Sequence, residues 1–179
     1  MYEKSDKLLI LDLDETLIHS SESKLDFDED FRFESFFVYK RPYLDWFLED
    51  LLKHFSIGIW SSGGDDYVLE IMNRIKPENA EFEMVWGRSR CTIKRDRKSD
   101  NYYFEKKLDK IKKKGFSLDK VILVDDSPEK SKSNYGNAIY IKEFIGDQKD
   151  DELKYLHDYL LTLKDAQNIR KIEKRGWRG

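Results

Sequence analysis

Leu8-Leu9-Ile10-Leu11-Asp12-Leu13-Asp14-Glu15-Thr16 is the stretch on which the reading of this chain turns. Four consecutive apolar residues with no polar alternation are the pattern of a strand buried on both faces, as in a parallel sheet covered by helices. The run stops at two aspartates set two positions apart. Open parallel sheets collect ligands beyond the carboxyl ends of their strands, so acidic side chains at such an end suit a site. Either aspartate alone is an ordinary turn former. The weight therefore falls on what else reaches the same edge.

Three more apolar runs follow. Ile57-Gly58-Ile59-Trp60 ends in Ser61-Ser62-Gly63-Gly64, Val121-Ile122-Leu123-Val124 ends in Asp125-Asp126-Ser127-Pro128, and Ala138 to Ile141 is the fourth. Between them lie apolar positions spaced by three and four. Leu44, Phe47, Leu48, Leu51, Leu52 and Phe55 mark a helix over Pro42 to His54, and Val68, Ile71, Met72 and Ile75 mark another, ended by Pro77. Phe104, Leu108 and Ile111 predict a third, with Lys106 and Lys107 at its start, and Leu153, Leu156, Leu160 and Leu163 a fourth. Phe31 to Tyr39 reads as a strand or hairpin, and Phe82 to Gly87 and Cys91 to Arg95 as short strands about a turn. Alternating strands and helices predict an α/β fold of three layers, α/β/α, around a central parallel sheet. A single domain is expected over residues 1–167, with a loose basic tail over 168–179.

Composition bounds the function. The 179 residues are 39% apolar and 39% charged, with 14% aromatic, which suits a folded, highly soluble domain rather than a disordered chain. A net charge of −3 argues against a general nucleic-acid binder. The charge is unevenly spread. Asp12 to Glu34 holds nine acidic residues against two basic ones, whereas Arg88 to Lys114 holds twelve basic against four acidic. That basic stretch is either a solvated face or a rim that draws in an anionic substrate. One cysteine, Cys91, excludes an internal disulfide and fits a packed residue in a reducing compartment. No signal-peptide core and no run of membrane-spanning length is present, so a cytoplasmic protein is expected, or a nuclear one if the source is eukaryotic.

The strand ends carry the chemistry. Asp12, Asp14, Asp125 and Asp126 would meet at one sheet edge with the hydroxyls of Ser61 and Ser62. Four clustered carboxylates repel one another unless a cation joins them, and an all-oxygen donor set without nearby His or Cys suits Mg²⁺. Of Asp12 and Asp14, one could attack phosphorus while the other handles a proton, giving an aspartyl-phosphate intermediate. Attack of one anion on another needs further positive charge, which Lys106 or Lys107 could bring.

Asp12-Leu13-Asp14-Glu15-Thr16-Leu17-Ile18-His19-Ser20 resembles the signature of the haloacid dehalogenase superfamily, in the form used by Fcp/Scp-type, NLI-interacting-factor-like phosphatases. Tyr39-Lys40-Arg41-Pro42 and Asp125-Asp126-Ser127-Pro128 resemble two further segments of that group, and the similarity runs from about Lys7 to Leu163. The resemblance implies a Rossmann-like core with a small β-sheet inserted at about 82–96 and an enzyme that hydrolyses phosphate monoesters with Mg²⁺. It implies Asp12 as nucleophile and metal ligand, and Asp14 as general acid/base with its backbone carbonyl on the metal. Asp126 would complete the metal site, with Asp125 beside it. Thr16 would orient the first loop, Ser61 and Ser62 would serve substrate binding with it, and Lys106 would bind phosphate, with Lys107 the fallback. The chain departs from the family in having Ser61-Ser62-Gly63 where Thr-Ala-Ser is usual, Asp126 where Asn is usual, and a short Ser21 to Arg41 segment.

A phosphoprotein or phosphopeptide, on serine or threonine, is the expected substrate. A small-molecule or nucleic-acid-end phosphatase is the alternative, and a non-catalytic binding module the third reading. The last fits poorly with retention of Asp12, Asp14, Lys106 and Asp126. Oligomeric state is not legible.

Overall fold

The computed structural model describes residues 4–96 and 100–179. Leu8–Leu11 forms β1, buried throughout, and the chain then folds back as a small antiparallel sheet of β2 (Ile18–Ser21), β3 (Phe31–Phe33) and β4 (Phe36–Lys40) in the order β2-β4-β3. Helix α1 (Leu44–His54), β5 (Ser56–Trp60), α2 (Asp65–Ile75) and β6 (Met84–Trp86) follow. Next come β7 (Thr92–Arg95), β8 (Tyr102–Glu105), the short α3 (Asp109–Lys112), β9 (Val121–Asp125), β10 (Ala138–Tyr140) and α4 (Glu152–Thr162).

The main sheet has five parallel strands in the order β10-β9-β1-β5-β6. Alternate strand residues face two separate cores. Leu9, Leu11, Ile57, Ile59, Ile122 and Val124 pack with α1, α2 and α4, whereas Leu8, Ile10, Val121 and Leu123 pack with Leu108, Ile111 and Leu118. Burial on both faces explains why these strands read as unbroken apolar runs. It also makes the fold the expected α/β/α sandwich.

Two sequence expectations are corrected here. Residues 82–96 do not form one inserted sheet. Met84–Trp86 extends the main sheet beside β5, with Gly58 opposite Met84 and Trp60 opposite Trp86. Gly58 makes room for that neighbour, since a Cβ there would lie 2.8 Å from the Met84 Cε. The small sheet in this region is instead the antiparallel pair of β7 and β8. That pair also overturns the helix expected from Phe104. Tyr102-Tyr103-Phe104 is an aromatic run of high strand propensity, and cross-strand pairing outweighs three apolar positions at helical spacing. Arg97 and Lys98 of the basic stretch lie outside the described residues.

The segment after α4 is not a loose tail. Ile169 is fully buried, the Trp177 indole N–H donates to the Tyr140 carbonyl at 2.8 Å, and Arg178 donates to Glu152 at 2.8 Å. The segment closes over the β10 edge. Among the described residues no helix is long and apolar enough to cross a membrane.

Candidate active site

β1 lies at the point where the strand order reverses, β5 and β6 following on one side and β9 and β10 on the other. Leu11 is level with Ile59 and Val124, so Asp12, Trp60 and Asp125 share the next level at the carboxyl edge. The Asp12 N–H donates to the Val124 carbonyl at 3.0 Å, carrying the ladder one residue past the strand. A tight turn then reverses the chain. The Leu13 carbonyl accepts from Leu17 N–H at 2.8 Å, and Glu15 adopts the left-handed region at φ 57°. Trp60 is buried and packs edge-on against Trp86 with centroids 5.1 Å apart, a core residue rather than a groove lining.

Lys106 stands in the loop after β8, not at the start of a helix. It is fully buried, and its ammonium donates to Asp12 Oδ1 and to Asp125 Oδ2, each at 2.6 Å. These are charge-assisted bonds between groups 94 and 19 positions apart in the chain. Lys107, the fallback, makes no ion pair among the described residues.

Asp14 is held by hydroxyls. Tyr67, in the first turn of α2, donates to Oδ1 at 2.5 Å, and Ser61 donates to Oδ2 at 3.1 Å. The Ser61 oxygen accepts in turn from Gly63 N–H at 2.9 Å. Ser62 is half-buried, and its carbonyl accepts from Arg88 Nε at 2.9 Å. Thr16 is fully buried and its hydroxyl has no hydrogen-bond partner; its carbonyl accepts from Arg41 at 3.0 Å. The structure thus gives Thr16 a place in the loop rather than at the surface of the site.

Burial drives the Asp12 carboxyl upward, but Lys106 and then Lys130 more than offset it, leaving it below the ordinary range. Asp125 is as buried and lies against the Asp12 charge, so it is pushed up to about 7 in spite of Lys106. Burial also raises Asp14, helped by the charge of Asp12 and opposed by the Tyr67 hydrogen bond. Glu15, by burial and its neighbours Asp14 and Asp126, reaches about 7. Asp12 pulled down by lysine beside Asp14 raised by burial is the asymmetry that a carboxylate nucleophile and a general acid require.

Oxygens of Asp12, Asp125 and Asp126 lie within 4.8 Å of one another. Asp125 spends both oxygens, one on Lys106 and one on the Ser127 N–H at 2.9 Å. Asp12 Oδ2 and Asp126 Oδ1 are buried with no hydrogen-bond partner. Two carboxylate oxygens without a hydrogen bond in an all-oxygen cluster fit a hard divalent cation such as Mg²⁺. The Asp14 carboxylate stands outside this group, both its oxygens being taken by Tyr67 and Ser61.

Lys130 and Tyr67 were not singled out in the sequence. The Lys130 ammonium lies 3.6 Å from Asp12 Oδ2 and 3.7 Å from Asp126 Oδ1. A basic residue four places after Asp126, in a turn opened by Pro128, was the available signal. For Tyr67 it was an aromatic hydroxyl in the first turn after the second strand. Beside the site opens a cleft of about 430 Å³ lined by Asp14, Glu15, Phe33, Phe36, Tyr67 and Arg88 among others. Phe33 meets the Tyr67 ring edge-on, with centroids 5.4 Å apart.

Sheet order, the strand-end carboxylates and the buried lysine together define the haloacid dehalogenase fold class. Solved structures agree. "The Structure of Fcp1, an essential RNA polymerase II CTD phosphatase" matches with a TM-score of 0.66 at 15% identity, covering 88% of this chain and 62% of that one. A phospho-aspartyl intermediate analogue of phosphoserine phosphatase matches with a TM-score of 0.53 at 16% identity, over 87% of this chain and 99% of that one. The chain belongs to the NLI interacting factor-like phosphatase family, matched over residues 7–170. Among its relatives, nuclear envelope morphology protein 1 of Saccharomyces cerevisiae is 29% identical over 187 residues, and CTD nuclear envelope phosphatase 1B of Danio rerio 28% over 184. These alignments cover 93% and 94% of this chain but 41% and 71% of the respective relatives.

Proposed function

We propose that this phosphatase removes phosphate from phosphorylated proteins, on serine or threonine, by way of an aspartyl-phosphate on Asp12. The observation that carries this reading is the Lys106 ammonium bridging Asp12 and Asp125 at 2.6 Å each. It keeps Asp12 ionised in a buried place where a lone carboxylate would take up a proton. An Asp12 oxygen forms a bond to phosphorus as the ester O–P bond breaks, and Asp14 passes its proton to the departing oxygen. Water then attacks the aspartyl-phosphate while Asp14 takes back a proton, releasing inorganic phosphate and restoring both aspartates. Tyr67 and Ser61 hold Asp14 in place for both transfers. Mg²⁺ on Asp12 and Asp126, with Asp125 beside them, would supply positive charge toward the phosphoryl oxygens.

The phosphoprotein assignment is supported by the relatives and solved structures named for CTD phosphatases, and by an open cleft with aromatic walls beside Asp14. For location, relatives named for the nuclear envelope support that compartment over free cytoplasm.

The test is phosphate release from p-nitrophenyl phosphate with and without Mg²⁺. The wild type should turn over only with the metal, and Asp12→Asn should lose roughly a thousandfold or more in kcat. Turnover surviving in Asp12→Asn would end the covalent mechanism. A panel of phosphopeptides and phosphometabolites should favour phosphoserine and phosphothreonine peptides; preference for a metabolite would transfer the assignment to small molecules.

A further inference from the structure

Two cations flank the nucleophile, and they are not equivalent. Lys106 is fully buried and spends its ammonium on Asp12 Oδ1 and Asp125 Oδ2. With two short bonds to carboxylates, it has at most one of its three N–H donors left. Lys130 stands on the other oxygen of Asp12, 3.6 Å from Oδ2, with its side chain 19% exposed. Its ammonium makes no hydrogen bond among the described residues, and its contacts to Asp12 and Asp126 are loose ion pairs. All three donors are therefore available.

The placement is fixed by the backbone. The Lys130 N–H donates to the Ser127 carbonyl at 3.1 Å, and the Lys130 carbonyl accepts from the Lys106 N–H at 2.6 Å. The two lysines are thus tied main chain to main chain while their ammonium groups reach opposite oxygens of one carboxylate. Pro128, at the start of the turn, restricts the route from β9.

An incoming phosphate monoester adds negative charge to a pocket already holding Asp12, Asp14, Asp125 and Asp126. A cation committed to that carboxylate pair has little to offer it, whereas one with free donors at the mouth has much. We propose that Lys130 is a second phosphate-binding residue, donating to a phosphoryl oxygen on the Oδ2 side of Asp12. Lys106 is the first, with at most one donor to spare while it holds Asp12 and Asp125. This rests on the phosphatase reading of the same site.

The experiment uses inorganic phosphate as the probe, titrated calorimetrically into the full chain with Mg²⁺, alongside Mg²⁺ titrated alone. Lys130→Gln should weaken phosphate binding roughly ten- to a hundredfold, the loss expected for charge-assisted hydrogen bonds, with Mg²⁺ binding no weaker. Lys130→Arg, which keeps charge and donors, should restore most of that loss. If Lys130→Gln binds phosphate as the wild type does and only Mg²⁺ binding tightens, Lys130 merely neutralises the carboxylates and the proposal is overturned. If Lys130→Gln loses thermal stability as well, Lys130→Arg decides: stability regained without phosphate affinity also overturns it. A wild type that binds phosphate but does not turn over substrate removes the hydrolase reading, while the phosphate titration still decides Lys130. A wild type that binds no phosphate overturns the proposal outright.

Discussion

Asp14 shows how much one side chain's surroundings decide. Its carboxylate receives the Tyr67 hydroxyl at 2.5 Å and the Ser61 hydroxyl at 3.1 Å. Burial raises its pKa, and the Tyr67 bond holds that rise back. Tyr67→Phe removes the restraint, so the pKa should climb further. In the proposed mechanism Asp14 enters the first step protonated and gives that proton to the leaving group. The alkaline limb of the pH profile of kcat/KM should therefore move to higher pH in Tyr67→Phe, with kcat falling roughly tenfold. A profile that stays in place would show that Tyr67 does not act through Asp14. The same environment separates Asp14 from Asp12, two residues away, whose burial is offset by lysine rather than hydroxyl contacts.

At the level of elements, the loop after β1 is held by a strand end far from the chemistry. Arg41, immediately after β4, is fully buried and makes a bidentate pair with Asp150 at 2.7 and 2.8 Å. It also donates to the carbonyls of Thr16 at 3.0 Å and Lys142 at 2.9 Å. Beside it, Phe144 N–H donates to the Glu15 carbonyl at 2.7 Å. Three segments are fastened at one guanidinium, which only its planar fork of donors can do. Arg41→Met should cost about 3–5 kcal/mol in urea unfolding, because Asp150 and two carbonyls lose their partner in a poorly solvated place. Adding Asp150→Leu should recover part of that loss. If Arg41→Met unfolds at the wild-type midpoint, the clamp is not what holds the loop.

For the molecule as a whole, gathering carboxylates at one edge sets a dependence on pH and metal. Glu15 rises from 4.5 to about 7 and Asp125 from 3.8 to about 7, so across that window the folded state holds protons that the unfolded chain has released. Stability from these groups therefore falls as pH rises through the window. Asp12 is lowered instead, and its contribution is complete once the pH exceeds its ordinary 3.8. A divalent cation such as Mg²⁺ would bind the ionised carboxylates that only the folded site gathers, so its stabilisation should grow as pH rises. Thermal unfolding with and without Mg²⁺ should show a gap in Tm that widens from about pH 5 to about pH 7. A constant gap, or one that narrows, would contradict metal binding at these carboxylates.

Four of the five strands of the main sheet, and its chemical edge, were legible in the sequence. Strands buried on both faces must be apolar at every position, so Leu8–Leu11, Ile57–Trp60 and Val121–Val124 stood out, and Asp12, Asp125 and Asp126 were legible as the polar residues that end two of them. It was weaker where elements are short or depend on pairing. Met84–Trp86 could be assigned to the main sheet only through its register with β5, and Tyr102–Glu105 to a hairpin only through β7. Closing of the final segment over β10 likewise depends on partners such as Tyr140 and Glu152, more than 20 positions away. What tertiary structure alone decided was the pairing of charges at Asp12. Lys106 was a candidate beside Lys107 until folding placed it 2.6 Å from Asp12 and Asp125, and Lys130 had no motif to announce it. An apolar period is written locally because burial acts on each residue of an element. A buried ammonium between two carboxylates is stable only through partners that distant segments bring.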